Sequence, residues 1–183
     1  MSKPDVETLS SKVVYENRWM VVREDQVRRK DGSEGIYGVV EKANFVAIAA
    51  IQDGRIHLVE QYRYPVKQRF WELPQGAWHD APGTDAETVA RGELQEETGL
   101  TADEMIFAGE FCLAYGFSDH RCRLFLAKGL TQGERKLDAE EQDMITRSFT
   151  LEDMDRMLLD GIIQDAVTIA SMGLLRLKGF IQR

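Results

Sequence analysis

The pattern of hydrophobic and polar positions predicts a strand-rich chain with a central hairpin as its clearest signal. Residues 45–51 are almost all apolar, which is typical of a strand buried on both faces. Asp53 and Gly54 then form a strong turn signal, and residues 56–62 return with further apolar side chains. Further strands are predicted over residues 12–15, 19–27, 36–41, 70–73, 105–115, 122–127 and 143–149. Residues 1–10 are polar, and we expect them to be loosely held.

Three segments have helical periodicity. Residues 84–98 lie near the middle of the chain, and residues 151–160 and 165–177 close it with apolar side chains at helical spacing. The methionines in the last two segments indicate core packing rather than a binding surface. Strands mixed with three helices, the first of them central, predict an α/β fold in which a sheet is covered on both faces.

The central helix has recognisable start and stop signals. Thr84 is placed to cap the helix, and Glu87 follows at the spacing of a capping box. Gly99 is the residue type best able to take the left-handed turn just past the last helical residue. We therefore expect segment 84–100 to hold a helix that is capped by Thr84 and ends at Gly99.

Three carboxylates share the apolar side of this helix. At about 100° per residue, Glu93, Glu96 and Glu97 fall on the side that also carries the apolar residues. Those apolar residues are Ala86, Val89, Ala90 and Leu94. A solvated helix keeps carboxylates off that side, and the helix dipole disfavours anions near the C-terminal end. The pattern therefore favours a hard divalent cation, and with it phosphoryl chemistry, over an acidic helix end in solvent.

Composition narrows the classes of function. The chain has 183 residues, 43% of them hydrophobic and 30% charged, which suits one globular domain with a sizeable core. A formal net charge of −8 argues against a protein that binds nucleic acid through its phosphates, although a metal ion would still allow a small anionic substrate. Cys112 and Cys122 form no CxxC pair, so neither a zinc site nor a disulfide framework is predicted. Because no signal peptide and no membrane-spanning run is recognisable, we expect no membrane partner and a cytoplasmic location.

The helix and the strand before it resemble a known motif. Residues 93–100 read ELQEETGL, which resembles the second half of the Nudix box, the signature of Nudix hydrolases. Residues 71–76 read WELPQG, which resembles the strand and loop that lead into that box. The departures from the usual pattern are a lengthened loop from Gly76 to Gly83, Thr84 in place of a glutamate, and Gly92 in place of the arginine before Glu93. In the family that arginine helps to orient the box.

The resemblance extends over residues 13–177 and indicates the branch that hydrolyses ADP-ribose and nucleotide sugars. The matching runs are QYRYP at 61–65, GFSD at 116–119, LFLA at 124–127 and GIIQDA at 161–166. This resemblance implies a Nudix fold, an α/β/α sandwich around a mixed β-sheet. It implies an N-terminal β extension over residues 1–43, which forms a homodimer by exchanging strands, and a hydrolase domain over residues 44–183.

The resemblance also assigns metal and catalytic roles. Carried onto this chain, the ligands of Mg²⁺, or of Mn²⁺, are Glu93, Glu96, Glu97 and the backbone carbonyl of Gln75, with Glu96 also counted as catalytic. Such ions neutralise a diphosphate and lower the pKa of a bound water. In this branch a general base often comes from an acidic loop after the box. That loop covers residues 138–143 here, where Glu140 is the predicted base, Glu141 the next candidate, and a merely solvated loop the alternative.

Substrate contacts are predicted from residues outside the helix. Arg63 could pair with a phosphate in a forked geometry, or it could lie at the surface beside a turn. Trp19 or Tyr15 could stack on the base, with a core position equally open for Trp19. Phe117 and Ser118 are expected to line the cleft because their loop resembles one that does so in the family.

The leading prediction is a metal-dependent pyrophosphatase that cleaves ADP-ribose or a nucleoside diphosphate sugar to a nucleoside monophosphate and a sugar phosphate. One alternative is a Nudix-fold sensor that binds a nucleotide without turnover. Such a protein could carry Thr84 and Gly92, the two departures from the motif, without loss of function. Another is a hydrolase of the same fold that acts on dinucleoside polyphosphates or oxidised nucleotides. The three intact glutamates favour an enzyme, and the strands before Gln61 together with the late helices argue against the last alternative.

Overall fold

A computed structural model describes residues 4–78, 83–137 and 143–182, which fall into two units with one sheet in each. The first unit comprises Met1–Asn44 and Cys112–Arg121. The second unit comprises Phe45–Phe111 and Cys122–Arg183. The glutamates of the predicted metal site belong to the second unit.

The sheet of the first unit is antiparallel. Its strands, in spatial order, are β1 (Val6–Asn17), β2 (Met20–Arg29) and β3 (Glu34–Glu41). Every residue of β1 before Asn17 is exposed, so its sequence carries no apolar alternation that would mark where the strand starts. The expectation of a loosely held segment over residues 1–10 is therefore wrong from Val6 onward, because pairing with β2 satisfies the backbone there.

The sheet of the second unit is mixed, as predicted. Its strands are β4 (Phe45–Gln52), β5 (Arg55–Arg63), β6 (Gln68–Glu72), β7 (Gln75–Gly76), β8 (Leu100–Cys112), β9 (Arg121–Gln132) and β10 (Ile145–Thr150). Within the described ranges the main path runs β10-β5-β4-β9-β8, with β6 beside β5 and β7 beside β4. β4 and β9 are parallel, whereas β4 and β5 form the antiparallel hairpin that the Asp-Gly turn predicted.

Helices cover both faces of this sheet, which confirms the predicted α/β/α sandwich. They are α1 (Ala86–Thr98), α2 (Leu151–Leu159) and α3 (Ala166–Leu177). Side chains of β4 alternate between the faces: Val46, Ile48 and Ala50 pack with α1, while Ala47 and Ala49 lie in the cluster completed by α2 and α3. Among the described residues, no helix has both the length and the apolar character needed to cross a membrane.

Candidate active site

Helix α1 is capped one residue later than predicted and ends where predicted. Its N-cap is Asp85, whose carboxylate accepts a hydrogen bond from a backbone N–H of the first turn at 3.0 Å. The predicted capping box is wrong, because Asp85 caps at least as well as Thr84 would and Glu87 pairs instead with Arg91 one turn later. Gly99 takes the left-handed conformation, with φ of 75°, and closes the helix.

The three predicted glutamates lie in the C-terminal half of α1 and are withdrawn from solvent to different degrees. Glu97 is fully buried, Glu93 is 7% exposed, and Glu96 has intermediate exposure. A buried carboxylate is costly unless cations or hydrogen-bond donors compensate it. The negative end of the helix dipole adds to that cost. This end of α1 therefore concentrates negative charge that a bound cation would offset.

The short segment around β7 lies directly against these carboxylates. The Gln75 N–H donates a hydrogen bond to Oε2 of Glu97 at 3.0 Å. A Cβ added at Gly76 would lie 2.3 Å from Oε2 of Glu93, so a side chain at residue 76 would displace that carboxylate from its position. The structure thus brings together Gln75, Glu93 and Glu97, which the sequence had grouped as metal ligands.

Gly92, at the position of the usual box arginine, faces the indole of Trp78. A Cβ added at Gly92 would lie 2.1 Å from Cζ2 of Trp78, well inside van der Waals contact. Trp78 itself is partly buried and packs against the apolar cluster between α1 and β4. The space beside residue 92 is therefore already filled by an aromatic side chain from the preceding loop.

The predicted metal ligands suit a hard divalent cation, because they are oxygen atoms and because two of the carboxylates are buried. Carboxylate oxygens and a backbone carbonyl are the ligands that Mg²⁺ and Mn²⁺ prefer. Because residue 76 is glycine, it places no side chain against the Glu93 carboxylate. Across the described ranges, no group of three Asp, Glu, His or Cys side chains already stands in a metal-holding arrangement. The chain therefore supplies suitable ligands, which a cation would still have to draw together.

Glu72, at the end of β6, adds a buried carboxylate next to this segment. It is 2% exposed and accepts hydrogen bonds from Nε2 of Gln61 at 2.8 Å and from Nε of Arg63 at 3.2 Å. Burial raises the pKa of Glu72, while the charge of Arg63 and a hydrogen bond from the Gln75 side chain oppose that rise. Gln75 therefore contacts Glu72 through its side chain and Glu97 through its backbone.

Arg63, predicted to bind a substrate phosphate, is held by Glu72. The side chain of Arg63 remains 40% exposed despite this ion pair. A guanidinium has five N–H donors, so one carboxylate does not exhaust its capacity. Phosphate binding by Arg63 stays a prediction.

Two residues at the start of α3, the N-cap Asp165 and Thr168, hold the residue that follows β6, and the sequence did not predict this role. The hydroxyl of Thr168, a fully buried residue, accepts a hydrogen bond from the Leu73 N–H at 2.9 Å and donates one to the Asp165 carboxylate at 2.7 Å. Asp165 is also the N-cap of α3 and accepts from the Thr168 N–H at 2.7 Å. The Asp-x-x-Thr spacing marks a helix start. It contains no information about the distant Leu73.

The remaining predicted substrate contacts belong to the first unit. Trp19 lies in the turn between β1 and β2 and is 46% exposed, which is not a core position. Phe117 is exposed, and its carbonyl accepts a hydrogen bond from the Val40 N–H at 2.8 Å. Ser118 is buried and its hydroxyl donates to the Val40 carbonyl at 2.6 Å. These bonds attach the 112–121 segment to β3, and the roles of all three residues in binding stay predictions.

Glu140 and Glu141, the candidate general bases, lie outside the described residues. On the N-terminal side of this segment, Arg135 donates from Nε to the Glu97 carbonyl at 2.8 Å and from Nη2 to the Met144 carbonyl at 3.1 Å. Arg135 thus joins both flanks of the acidic segment to the C-terminal end of α1.

The chain matches two family models, which lie side by side and together cover residues 6–171. Residues 41–171 match the family described as the NUDIX domain. Residues 6–40 match the family described as the nucleoside diphosphate sugar hydrolase N-terminal domain.

Relatives with assigned activities cover nearly the whole chain. An ADP-ribose pyrophosphatase of Mycobacterium tuberculosis (strain ATCC 25618 / H37Rv) is 36% identical over 174 residues, covering 94% of this chain and 84% of its own. An ADP-ribose pyrophosphatase of Bacillus subtilis (strain 168) is 28% identical over 184 residues, covering 100% and 98%. The crystal structure of an ADP compounds hydrolase has a TM-score of 0.84 at 21% identity, covering 98% of each chain, and it supports the fold alone.

Proposed function

Because the chain belongs to the Nudix family of hydrolases, we propose that it cleaves the diphosphate linkage of ADP-ribose or of a related nucleoside diphosphate sugar. The products are a nucleoside monophosphate and a sugar phosphate. The observation that carries the proposal is the buried pair Glu93 and Glu97 on α1, held against Gln75 and Gly76. The substrate class is supported by the match of residues 6–40 and by the names of both pyrophosphatase relatives.

Nudix hydrolases generally require a divalent cation, and Mg²⁺ is the proposed one here, with Mn²⁺ as the alternative. The residues that would hold it are Glu93, Glu96, Glu97 and the carbonyl of Gln75. When bound, such a cation offsets diphosphate charge and lowers the pKa of a coordinated water. Burial of the glutamates supports this assignment, because buried carboxylates gain most from a neutralising charge.

The other proposed roles concern the proton and the substrate. In the overall step the oxygen of a water forms a bond to one phosphorus and the bridging P–O bond breaks. Glu140, or Glu141, accepts the proton of the water as general base. Arg63 contacts the diphosphate through donors that Glu72 leaves available, and Trp19 stacks on the base.

Phe117 and Ser118 are proposed to line the substrate cleft. Phe117 has the exposure that a ring contact with a ligand requires. Ser118 supports this lining through its bond to Val40 rather than through a free hydroxyl.

We further propose a homodimer, formed through the sheet of residues 1–43, in the cytoplasm. Several apolar side chains of that sheet are exposed to solvent, and burying them against a second copy of the chain would be favourable. They are Val13, Val14, Tyr15 and Ile36. Light scattering after size exclusion should give twice the chain mass of 20.9 kDa, and a concentration-independent monomer would refute the dimer.

The proposed cytoplasmic location is supported by the cysteines. Both are free thiols, which suits a reducing compartment.

The activity is tested with a substrate panel. The purified chain is incubated with Mg²⁺ and ADP-ribose, ADP-glucose, GDP-mannose, UDP-glucose or diadenosine polyphosphates, and the products are separated by chromatography. We expect turnover of ADP-ribose or one nucleotide sugar. Tight binding of a panel member without turnover would instead support a sensor, and turnover of diadenosine compounds alone would support the polyphosphate hydrolase.

Glu97→Gln tests the metal assignment against a matched control on the same helix. Glu97→Gln should lower kcat by at least about 100-fold, because it removes a ligand charge while keeping the side-chain size. Glu87→Gln changes an exposed glutamate whose ion pair with Arg91 lies at the surface, so its kcat should stay within about twofold of wild type. Near-normal turnover of Glu97→Gln with Mg²⁺ would contradict the assignment.

A further inference from the structure

We propose that Trp78 and Gly92 act as a matched pair that positions helix α1 and its glutamates against the strand that precedes them. Gly92 lies immediately before Glu93, and Trp78 lies two residues after Gly76. In this chain the indole occupies the space into which any side chain at residue 92 would project. The inference deepens the proposed function, on which its catalytic part rests, and makes Trp78 a positioning residue.

The contact at Gly92 is not what an ordinary helical glycine shows. A Cβ at Gly92 would lie 2.1 Å from Cζ2, 2.8 Å from Cη2 and 3.1 Å from Cε2 of Trp78. By contrast, a Cβ at Gly173 in α3 would meet nothing within 4 Å. Glycine is a poor helix former compared with alanine, so its presence inside α1 needs a packing reason. The rigid ring of Trp78 is that reason.

Three successive contacts lay residues 75–78 along α1. Gln75 is bonded to Glu97. Gly76 lies against the Glu93 carboxylate, and Trp78 covers Gly92. Because Trp78 also packs into the cluster between α1 and β4, it fixes the far end of this segment to the core. The two glutamates are thus placed by a segment that is held at both ends.

This arrangement explains how the chain functions without the usual arginine of the box. An arginine at residue 92 would have to place its Cβ inside the volume of the indole. Trp78 therefore excludes the arginine, and its packing takes over the task of orienting the helix. Residues 78 and 92 are expected to tolerate change only together.

Unfolding experiments test the packing without reference to substrate or metal. Gly92→Ala should lower the melting temperature by about 2–10 °C despite the better helix propensity of alanine, because the added methyl overpacks the indole. The control Gly173→Ala, at the open position in α3, should leave the melting temperature unchanged or raise it by about 2 °C. Trp78→Leu shortens the side chain and removes the outer ring that the methyl would strike. The double variant Trp78→Leu/Gly92→Ala should therefore melt at or above Trp78→Leu alone, whereas Trp78→Leu/Gly173→Ala should be additive.

Kinetics test the positioning role. With Mg²⁺ or Mn²⁺, Gly92→Ala should lower kcat and raise the metal concentration for half-activation by about tenfold or more, since small misplacements of reacting groups are costly. The KM for substrate should stay within about twofold, because neither Trp78 nor Gly92 is among the proposed substrate contacts. Trp78→Leu should itself weaken the metal response, and adding Gly92→Ala to it should cause no further loss, because the outer ring that the methyl would strike is gone.

The outcomes separate failure of this inference from failure of the proposed function. Equal, harmless effects of Gly92→Ala and Gly173→Ala would overturn the matched pair, and so would strict additivity of Trp78→Leu and Gly92→Ala. If the double variant rescues the melting temperature but none of the variants changes the metal concentration for half-activation, the two residues contribute to packing alone. That result would refute the positioning role. If Gly92→Ala does not fold, recovery of folded protein in the double variant decides the question. If wild type turns over no substrate, the melting data still test the pair.

Discussion

Thr168→Val is the sharpest test of how α3 supports the candidate site. The substitution keeps the size of the side chain and removes only its hydroxyl. That hydroxyl accepts from the Leu73 N–H at 2.9 Å and donates to Asp165 at 2.7 Å, and both Thr168 and Leu73 are fully buried. In the variant the Leu73 N–H faces a methyl group, so a buried donor loses its partner.

The magnitude follows from these two bonds. An unsatisfied buried donor costs about 1–3 kcal/mol, and the lost bond to Asp165 adds about 1 kcal/mol because that carboxylate keeps the Thr168 N–H. The sum of about 2–4 kcal/mol corresponds to a fall of about 1–2 M in the midpoint of urea unfolding. Thr168→Ser keeps both bonds and loses one methyl group, which costs only about 1 kcal/mol.

The assay is urea unfolding of both variants beside an exposed control. If hydrogen bonding dominates, Thr168→Ser is more stable than Thr168→Val, although valine preserves the volume of the side chain. Thr131→Val, on an exposed position of β9, should stay within about 0.5 kcal/mol of wild type. A Thr168→Val variant as stable as Thr168→Ser, or more stable, would refute the dominance of hydrogen bonding at this position. Because Leu73 lies between Glu72 and Gln75, Thr168→Val should also lower kcat, and Thr168→Ser should restore it.

Two further predictions concern ionisable groups. Burial raises the pKa of Glu72 above its ordinary 4.5, so the folded state binds its proton more readily than the unfolded state. Lowering the pH from 7 towards 4.5 should therefore stabilise wild type relative to Glu72→Gln, levelling off below 4.5, and urea midpoints that do not diverge would contradict this. Burial also raises the pKa of the Cys122 thiol to about 12, so at pH 8 iodoacetamide should modify the half-buried Cys112 and leave Cys122 unmodified until denaturant is added. Peptide mass spectrometry measures both sites, and equal labelling in the native chain would contradict the prediction.

The sequence predicts the structure best where the spacing of side chains along one element determines which of them are buried or share a side. The apolar run of β4 predicts a strand buried on both faces, and the structure has that strand with helices on each side. The angular count on α1 finds Glu93, Glu96 and Glu97 because helical geometry alone determines which residues share a side. The start of β1 is missed because an exposed strand needs no apolar alternation.

Contacts between distant segments are the part that local patterns do not contain. Thr84 and Asp85 are both good caps, and the choice between them depends on where the chain enters the helix. The ion pair of Arg63 with Glu72 crosses two strands. The fit of Trp78 to Gly92 depends on how the loop folds back over α1. The sequence shows only that Gly92 replaces the usual arginine of the box, and it does not show that Trp78 fills the space beside it.

The parallel pairing of β4 with β9 constrains the order in which a nascent chain acquires this fold. Ala50 pairs with Ala127, so β4 leaves the ribosome long before its partner strand exists. At about 5–20 residues per second, the delay is roughly 4–15 s. During that interval the partners already synthesised for β4 are β5 and α1, whereas the strand that pairs with its other edge, β9, has not yet been made. The helix that carries the glutamates is therefore synthesised, and can dock, before the sheet beneath it is complete.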